Sequence, residues 1–206
     1  MWTDLRDIRD PYMKQRGIDY FENSRRAVYA QRAYAVANPR RCRDYGETIW
    51  GITASDGPAD VEIEDATGRH RFRSYMERGI DPAGRHDDCT LAPTAVIASM
   101  PFAPELVIPA TLEMHRRFGK YIYSKYGFLD ANRTFTFDVP LRHGQRVPEF
   151  GWVAGDYLGI DQGVILAMIE NYRSALVWRV MRKNPYLRRG LEQAGFSGGW
   201  LAGPGQ

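Results

Sequence analysis

The sequence predicts a mainly α protein. Helical periodicity runs through residues 19–38 and again through 162–183, and no regular strand–helix alternation or short-period repeat opposes it. At 206 residues the chain can bury a core as one large domain or two small ones.

The opening MWTDLRDIRDPYMKQRG is charged from its fourth residue and has no apolar run. No stretch approaches the roughly 20 apolar residues of a membrane span, and Arg25-Arg26 is not followed by the apolar segment of a twin-arginine signal. The expectation is a soluble chain that touches no membrane. From Asp19 to Asn38, Tyr20, Phe21, Val28, Tyr29, Ala33, Tyr34 and Val36 recur at helical spacing, Asp19 and Glu22 form a D-x-x-E capping box, and Asn38-Pro39 stops the run. Arg40, Arg41 and Arg43 come next. They read either as a polyanion patch or as cations that suit a helix C-terminus.

DYGETIWGITASDGPAD, residues 44–60, gathers carboxylates, Tyr45 and Trp50 around glycines and a proline. Glu47, between Tyr45 and Trp50, has the profile of a general acid whose pKa neighbouring aromatics would raise, or else it is a solvated loop glutamate. Asp56 in S-D-G-P is a turn residue or a site carboxylate. VEIEDATGRHRFRSY then alternates around a T-G turn and predicts a solvent-facing hairpin over 61–75. Asp87-Asp88 is a like-charged pair or the N-cap of the next helix.

LAPTAVIASMPFAP is apolar and broken by three prolines. The helix ELVIPATLEMHRRFG should be kinked or delayed by Pro109 and end at Gly119. Residues 124–160 read as a long irregular loop bearing Phe128, Phe135, Phe137, Phe150, Trp152 and Tyr157, of a kind usually kept for function. The helix 162–183 takes Asp161 as its N-cap, and Glu170 within it needs a partner such as Arg173 or a polar cavity. Asn184-Pro185 starts a shorter helix that ends at Gly195, and the tail from 197 to 206 should fray. In such a fold the helix-joining loops gather on one face. Chemistry is expected at 45–58, 86–93, 128–132 and 152–162.

A net charge of +3, from 28 Lys+Arg against 25 Asp+Glu, makes nucleic acid a poor default partner. Aromatic residues at 13%, with 12 Tyr and 5 Trp, suit a sugar-binding cleft. Cys42 and Cys89 show neither zinc spacing nor a disulfide framework, leaving the redox compartment open. His70, His86, His115 and His143 form no metal motif, GLEQAGF is no phosphate loop, and there is no G-x-S-x-G elbow.

RDIRDPYMKQRGIDYFENSRRAVYAQRAYAVANP, YGETIWGITASDGP, DDCTLAPTAVIASMPFAPE, KYGFLDANR and DYLGIDQGVILAMIENYRSALVWRVMRKNPYLRRGLEQAGF resemble, in that order, the C-terminal half of the glucoamylase-like bacterial domain. That family includes endo-β-1,2-glucanases and is related to a transglycosylating domain of cyclic β-1,2-glucan synthases. The resemblance spans nearly all of residues 5–196, so 1–196 is expected to be one partial domain. It implies a partial (α/α)6 toroid with long loops, inverting hydrolysis of β-glucan, no cofactor or metal, and a periplasmic or extracellular setting. It matches Glu47 to an essential carboxylate and Asp161 to a cavity-lining position, so Glu47 is expected to handle the proton and Asp161, or else Asp56, to assist with water or sugar hydroxyls. It gives Tyr45, Asp56, Asp88 and Gln162 to the sugar cavity, with Trp50, Phe128 and Trp152 as ring platforms. It also implies a preceding helical region with further acids. A chain without that region would be inactive alone, would self-associate, or would bind glycan without cleaving it.

Overall fold

The computed structural model describes residues 2–65, 68–136 and 138–203. Thr67 of the expected T-G turn, Phe137 and residues 204–206 lie outside them. Helix α1 (Pro11–Arg16) begins at a proline whose missing N–H is no loss there, and Asp10 Oδ1 accepts the Met13 N–H at 2.8 Å. Helix α2 (Tyr20–Ala37) is capped by Asp19, whose Oδ1 accepts the Glu22 N–H at 2.7 Å. Only half of the expected capping box forms, because the Glu22 carboxylate turns to Arg26 at 2.8 Å. Asn38 ends α2 in the left-handed conformation, φ 45°.

Helices α3 (Pro93–Ile97) and α4 (Pro104–Ile122) also open on prolines. The helix α4 runs through Pro109 and does not stop at Gly119, which is buried inside it. A Cβ there would come within 3.3 Å of the His115 ring. Phe118 and Ile122, buried on either side of Gly119, carry the helix one turn further into the core. The single helix expected over 162–183 is two, α5 (Gly159–Ser174) and α6 (Leu176–Arg182), broken at Ala175 with φ 55°. The buried Asn171 accounts for the break, since its Oδ1 accepts the Trp178 N–H at 3.1 Å and caps the new helix. Glu170 has the partner expected for it, Arg173 at 3.2 Å. Helix α7 (Pro185–Gln193) is capped by Asn184.

The hairpin forms as expected, Val61–Asp65 against Gly68–Phe72. The segment 124–160 is less irregular than its composition suggests. It holds an antiparallel sheet in which Gly151–Val153 lies between Asn132–Thr134 and Gln145–Val147. Three-residue strands are too short to leave a periodic signal. Ser197–Gly198, expected to fray, pairs with Ile8–Arg9, and Trp200 Nε1 donates to the Asp4 carbonyl at 2.8 Å, tying this end to the start of the chain.

The main core lies among α2, α3, α4 and the loop at 42–52, with Trp50, Val96, Val107, Met114 and Ile122 almost wholly buried. Each contributes about 1.5–3 kcal/mol relative to exposure. A smaller core of Phe72, Phe135 and Trp152 lies under the sheet and hairpin. Among the described residues no helix is long and apolar enough to cross a membrane.

Cys42 and Cys89 form a disulfide with Cα atoms 5.3 Å apart, a pairing that two cysteines 47 residues apart did not announce in sequence. Closing a loop of that length restricts the unfolded chain by about 2–4 kcal/mol. Reduction, or Cys42→Ser with Cys89→Ser, is expected to lower the unfolding free energy in urea by that amount. A loss below about 0.5 kcal/mol would mean that the cross-link constrains little.

Candidate active site

Three segments distant in sequence bring three carboxylates into one cavity of about 570 Å³, a size common for ligand sites. Asp56 comes from the two-residue strand Ser55–Asp56, paired with Tyr75–Met76. Gln31 on α2 pins the preceding loop, accepting from the Ile52 N–H and donating to the Ile52 carbonyl, both at 2.9 Å. Behind Asp56, Gly57 leaves no room for a side chain: a Cβ would stand 2.0 Å from the Arg73 carbonyl oxygen. Asp130 enters from the turn before the sheet and accepts the Asp56 N–H at 2.9 Å. Asp161 comes from the first turn of α5, whose N-terminus has no side-chain cap and favours a negative group. The sequence placed Asp161 at the N-cap, but that position is Leu158. This turns the carboxylate into the cavity instead of onto the helix end.

Asp130 and Asp161 act as one titrating pair. Burial is the main cause that pushes Asp130 up to about 7; the Asp56 N–H works against it, and the hydrogen-bonded Asp161 carboxyl reinforces it. Asp161 is raised as well, by burial first and by the Asp56 charge, while its hydrogen bond from Asp130 lowers it. Its Oδ2 is buried and has no hydrogen-bond partner among the described residues, which adds to the cost of charging it. Both carboxyls of the pair thus bind a proton more readily than a free aspartate, and Asp130 titrates near neutrality. The cavity wall also has Tyr75, 56% exposed, as an aromatic face, and the apolar Ile160.

A buried frame supports this wall. Arg78 forks onto Asp88 at 2.7 and 3.0 Å with both side chains inaccessible, and its Nη1 donates to the Ser55 carbonyl at 2.5 Å, one residue before Asp56. Burial alone would raise Asp88, but the Arg78 fork and the nearby Arg133 more than reverse it, so Asp88 stays below the usual carboxylate range. Asp87 accepts from the hydroxyls of Tyr34 at 3.0 Å and Tyr45 at 2.9 Å. The pair expected as a helix cap or a perturbed dyad is therefore neither. Helix α3 starts at Pro93 behind Ala92, and both aspartates are spent on internal partners.

Several expected site residues lie elsewhere. Tyr45 and Trp50 do not shield Glu47: Tyr45 turns inward to Asp87, and Trp50 is 1% exposed in the main core. The Glu47 side chain is 76% exposed, its nearest cation is Arg32 at 3.7 Å, and it does not line the carboxylate cavity. Asp88 does not line it either. Phe128 packs with His115 and Tyr123, and Trp152 is fully buried with its Nε1 on the His143 carbonyl at 2.7 Å. Neither offers a face to a sugar. Gln162 acts from behind, donating to the Phe128 carbonyl at 2.6 Å and so holding the turn that carries Asp130. Asp130 and Tyr75 are the residues missed. Asp130 stood in the expected segment 128–132, and an acid between Leu129 and Ala131 is the signal that could have found it.

A family model described as "Putative glucoamylase" matches residues 1–185. The chain is 28% identical over 175 residues to an exo beta-1,2-glucooligosaccharide sophorohydrolase (non-reducing end) of Parabacteroides distasonis, covering 85% of this chain and 20% of that protein. It is similar to the solved endo-beta-1,2-glucanase of Chitinophaga pinensis, in complex with sophorotriose and glucose, at 29% identity and TM-score 0.73, over 96% of this chain and 39% of the other. A "putative glucoamylase" from Bacteroides uniformis gives 31% identity and TM-score 0.70, over 97% and 39%. The chain thus spans about two fifths of these solved relatives and one fifth of the curated one.

Proposed function

The chain belongs to the "Putative glucoamylase" family, and from that premise we propose that it carries the water-activating wall of a glycoside hydrolase for β-1,2-glucan. The observation that supports this most is the coupled pair of a buried Asp130 and a half-buried Asp161 beside Asp56, in a cavity open to a sugar-sized ligand. Asp161, ionised and of raised basicity, takes the proton of the attacking water. Asp130 holds the shared proton that orients it, Asp56 accepts from a sugar hydroxyl, and Tyr75 stacks on a pyranose face. The linkage comes from the two β-1,2-specific relatives. The inverting course and a toroidal setting come from the resemblance alone.

Carboxyl spacing limits what this cavity does. An inverting enzyme separates its acid from its base by about 6.5–9.5 Å to leave room for water, and two carboxyls that share a hydrogen bond are far closer. Asp130 is therefore not the acid that protonates the leaving oxygen. Apart from Asp56, no further carboxylate lines the cavity among the described residues. This favours a second reading, in which the chain binds glycan and leaves cleavage to groups outside the cavity. Sugar release from glucans of different linkage separates the two. Release from linear β-1,2-glucan and not from β-1,3- or β-1,4-glucan supports the hydrolase, and saturable binding without release supports the module. Absence of both sinks the proposal. Because Glu47 faces solvent, Glu47→Gln is expected to change release or binding by less than about twofold, against the 100-fold or more that proton transfer would require.

A further inference from the structure

Arg40, Arg41 and Arg43, set aside in the carboxylate chemistry, line a second cavity of about 620 Å³ together with Arg69, His70 and Arg133. No Asp or Glu lines it among the described residues. Arg69 pairs with Glu62, and Arg133 is committed to Asp88 at 3.8 Å and to the Phe72 ring, whose centroid lies 3.7 Å from its Cζ. The side chains of Arg40, Arg41 and Arg43 have no hydrogen bond or ion pair with a described residue. A helix-end explanation does not use them up, since Asn38 already closes α2 and its N–H serves the Tyr34 carbonyl. Thr134 also lines the cavity, and its hydroxyl is buried and without a hydrogen-bond partner among the described residues.

The walls are fixed against each other. The Cys42–Cys89 disulfide lines the cavity and ties the arginine segment to the strand-bearing side, where Leu91 and Asn132 exchange two backbone hydrogen bonds of 2.9 Å. Arg133 is held from the other direction by donation to the Arg71 carbonyl at 2.6 Å. Three exposed, uncommitted guanidinium groups and a buried hydroxyl lining one cavity match a group with more than one negative charge and three or more acceptor oxygens, which a carboxylate does not supply.

We propose that the cavity between the Arg40–Arg43 segment and the strand Asn132–Thr134 binds a tetrahedral oxyanion, a phosphate or sulfate group, either free or esterified to a saccharide. This stands apart from the carboxylate cavity and does not rest on the hydrolase reading. The test is calorimetric titration of the whole chain, at low ionic strength, with inorganic phosphate, inorganic sulfate, glucose phosphate and glucose. Phosphate and glucose phosphate are expected to bind saturably and glucose not to. Tighter binding of glucose phosphate than of phosphate assigns the site to an ester, and equal binding assigns it to the free anion. Arg41→Ala with Arg43→Ala is expected to weaken phosphate at least about tenfold. A measurement that needs no variant is protection of Arg41 and Arg43 in the wild-type chain from an arginine-specific dicarbonyl, read by peptide mass spectrometry with and without phosphate. No saturable phosphate binding up to about 10 mM, affinity unchanged in a folded double variant, or no protection overturns the assignment.

Discussion

Arg78→Met is expected to cost about 3–5 kcal/mol of stability, because it leaves the Asp88 carboxylate buried with its main partner gone. The guanidinium makes two bonds to Asp88, and others to the Ser55 and Arg73 carbonyls, so several buried acceptors lose their donor together. Arg133, 3.8 Å from Asp88, is too distant to replace a bidentate fork. Urea denaturation at pH 7 reads the loss. The double variant Arg78→Met with Asp88→Asn removes the orphaned charge and is expected to recover at least about 1 kcal/mol. A single-variant cost below about 1 kcal/mol would show that water reaches Asp88 and that the frame behind Asp56 is not sealed. The linkage sign is set by the depressed Asp88 carboxyl: the unfolded chain takes up its proton first as pH falls. This contribution is present above the unfolded value of 3.8 and is lost as pH drops through the lower folded one.

Periodicity made the helices legible where they are long and capped by side chains. Asp19 and Asn184 marked starts that the structure keeps, because an Asx side chain accepting helix-end N–H groups is a local event, and Asn38 marked an end because asparagine takes the left-handed conformation that closes a helix. The break at Ala175 was not legible. It depends on Asn171 reaching seven residues forward to Trp178, and nothing in the local pattern separates that from a continuous apolar helix. The candidate site divides in the same way. Segments 45–58, 128–132 and 152–162 were expected to carry chemistry, and each supplies a carboxylate to one cavity, whereas 86–93 is absorbed by Arg78 and two tyrosines. Which acid in a segment faces the cavity is a tertiary matter. Glu47 has aromatic neighbours in sequence and solvent around it in space; Asp130 has apolar neighbours in sequence and a second carboxyl beside it in space. The aromatic platforms failed for a related reason, since Trp50 and Trp152 have more apolar area to bury than a sugar face would use.

Asp161→Asn is expected to lower sugar release by about 10²- to 10⁴-fold, the usual contribution of a general base, with binding of linear β-1,2-glucan little changed. Asp130→Asn separates the base from the neighbour that shares its proton. On the proposed mechanism, sugar release needs Asp161 ionised and Asp130 protonated, so its alkaline limb should lie near pH 7, where Asp130 gives up the proton. An amide keeps both roles at any pH: its oxygen still accepts the Asp56 N–H and its NH₂ still donates to Asp161. The limb should therefore move upward in Asp130→Asn, while Asp161→Asn is flat and low. The same pair predicts a stability signature that requires no turnover. A carboxyl whose folded pKa, about 7, exceeds its unfolded 3.8 contributes stability that is complete below about pH 4 and is lost as pH rises through 7. Wild-type Tm is thus expected to fall between pH 5 and 8, and Asp130→Asn to flatten that decline, gaining on the order of 1–3 kcal/mol at pH 8. The depressed carboxyls Asp4, Asp60, Glu62, Asp81, Asp88, Glu105 and Glu113 act in the opposite sense and at lower pH, which leaves this window to the pair. A wild-type Tm that is level or rising from pH 5 to 8, or that declines equally in Asp130→Asn, would mean that the two carboxyls do not share a proton, and Asp161 would lose the environment that makes it a base.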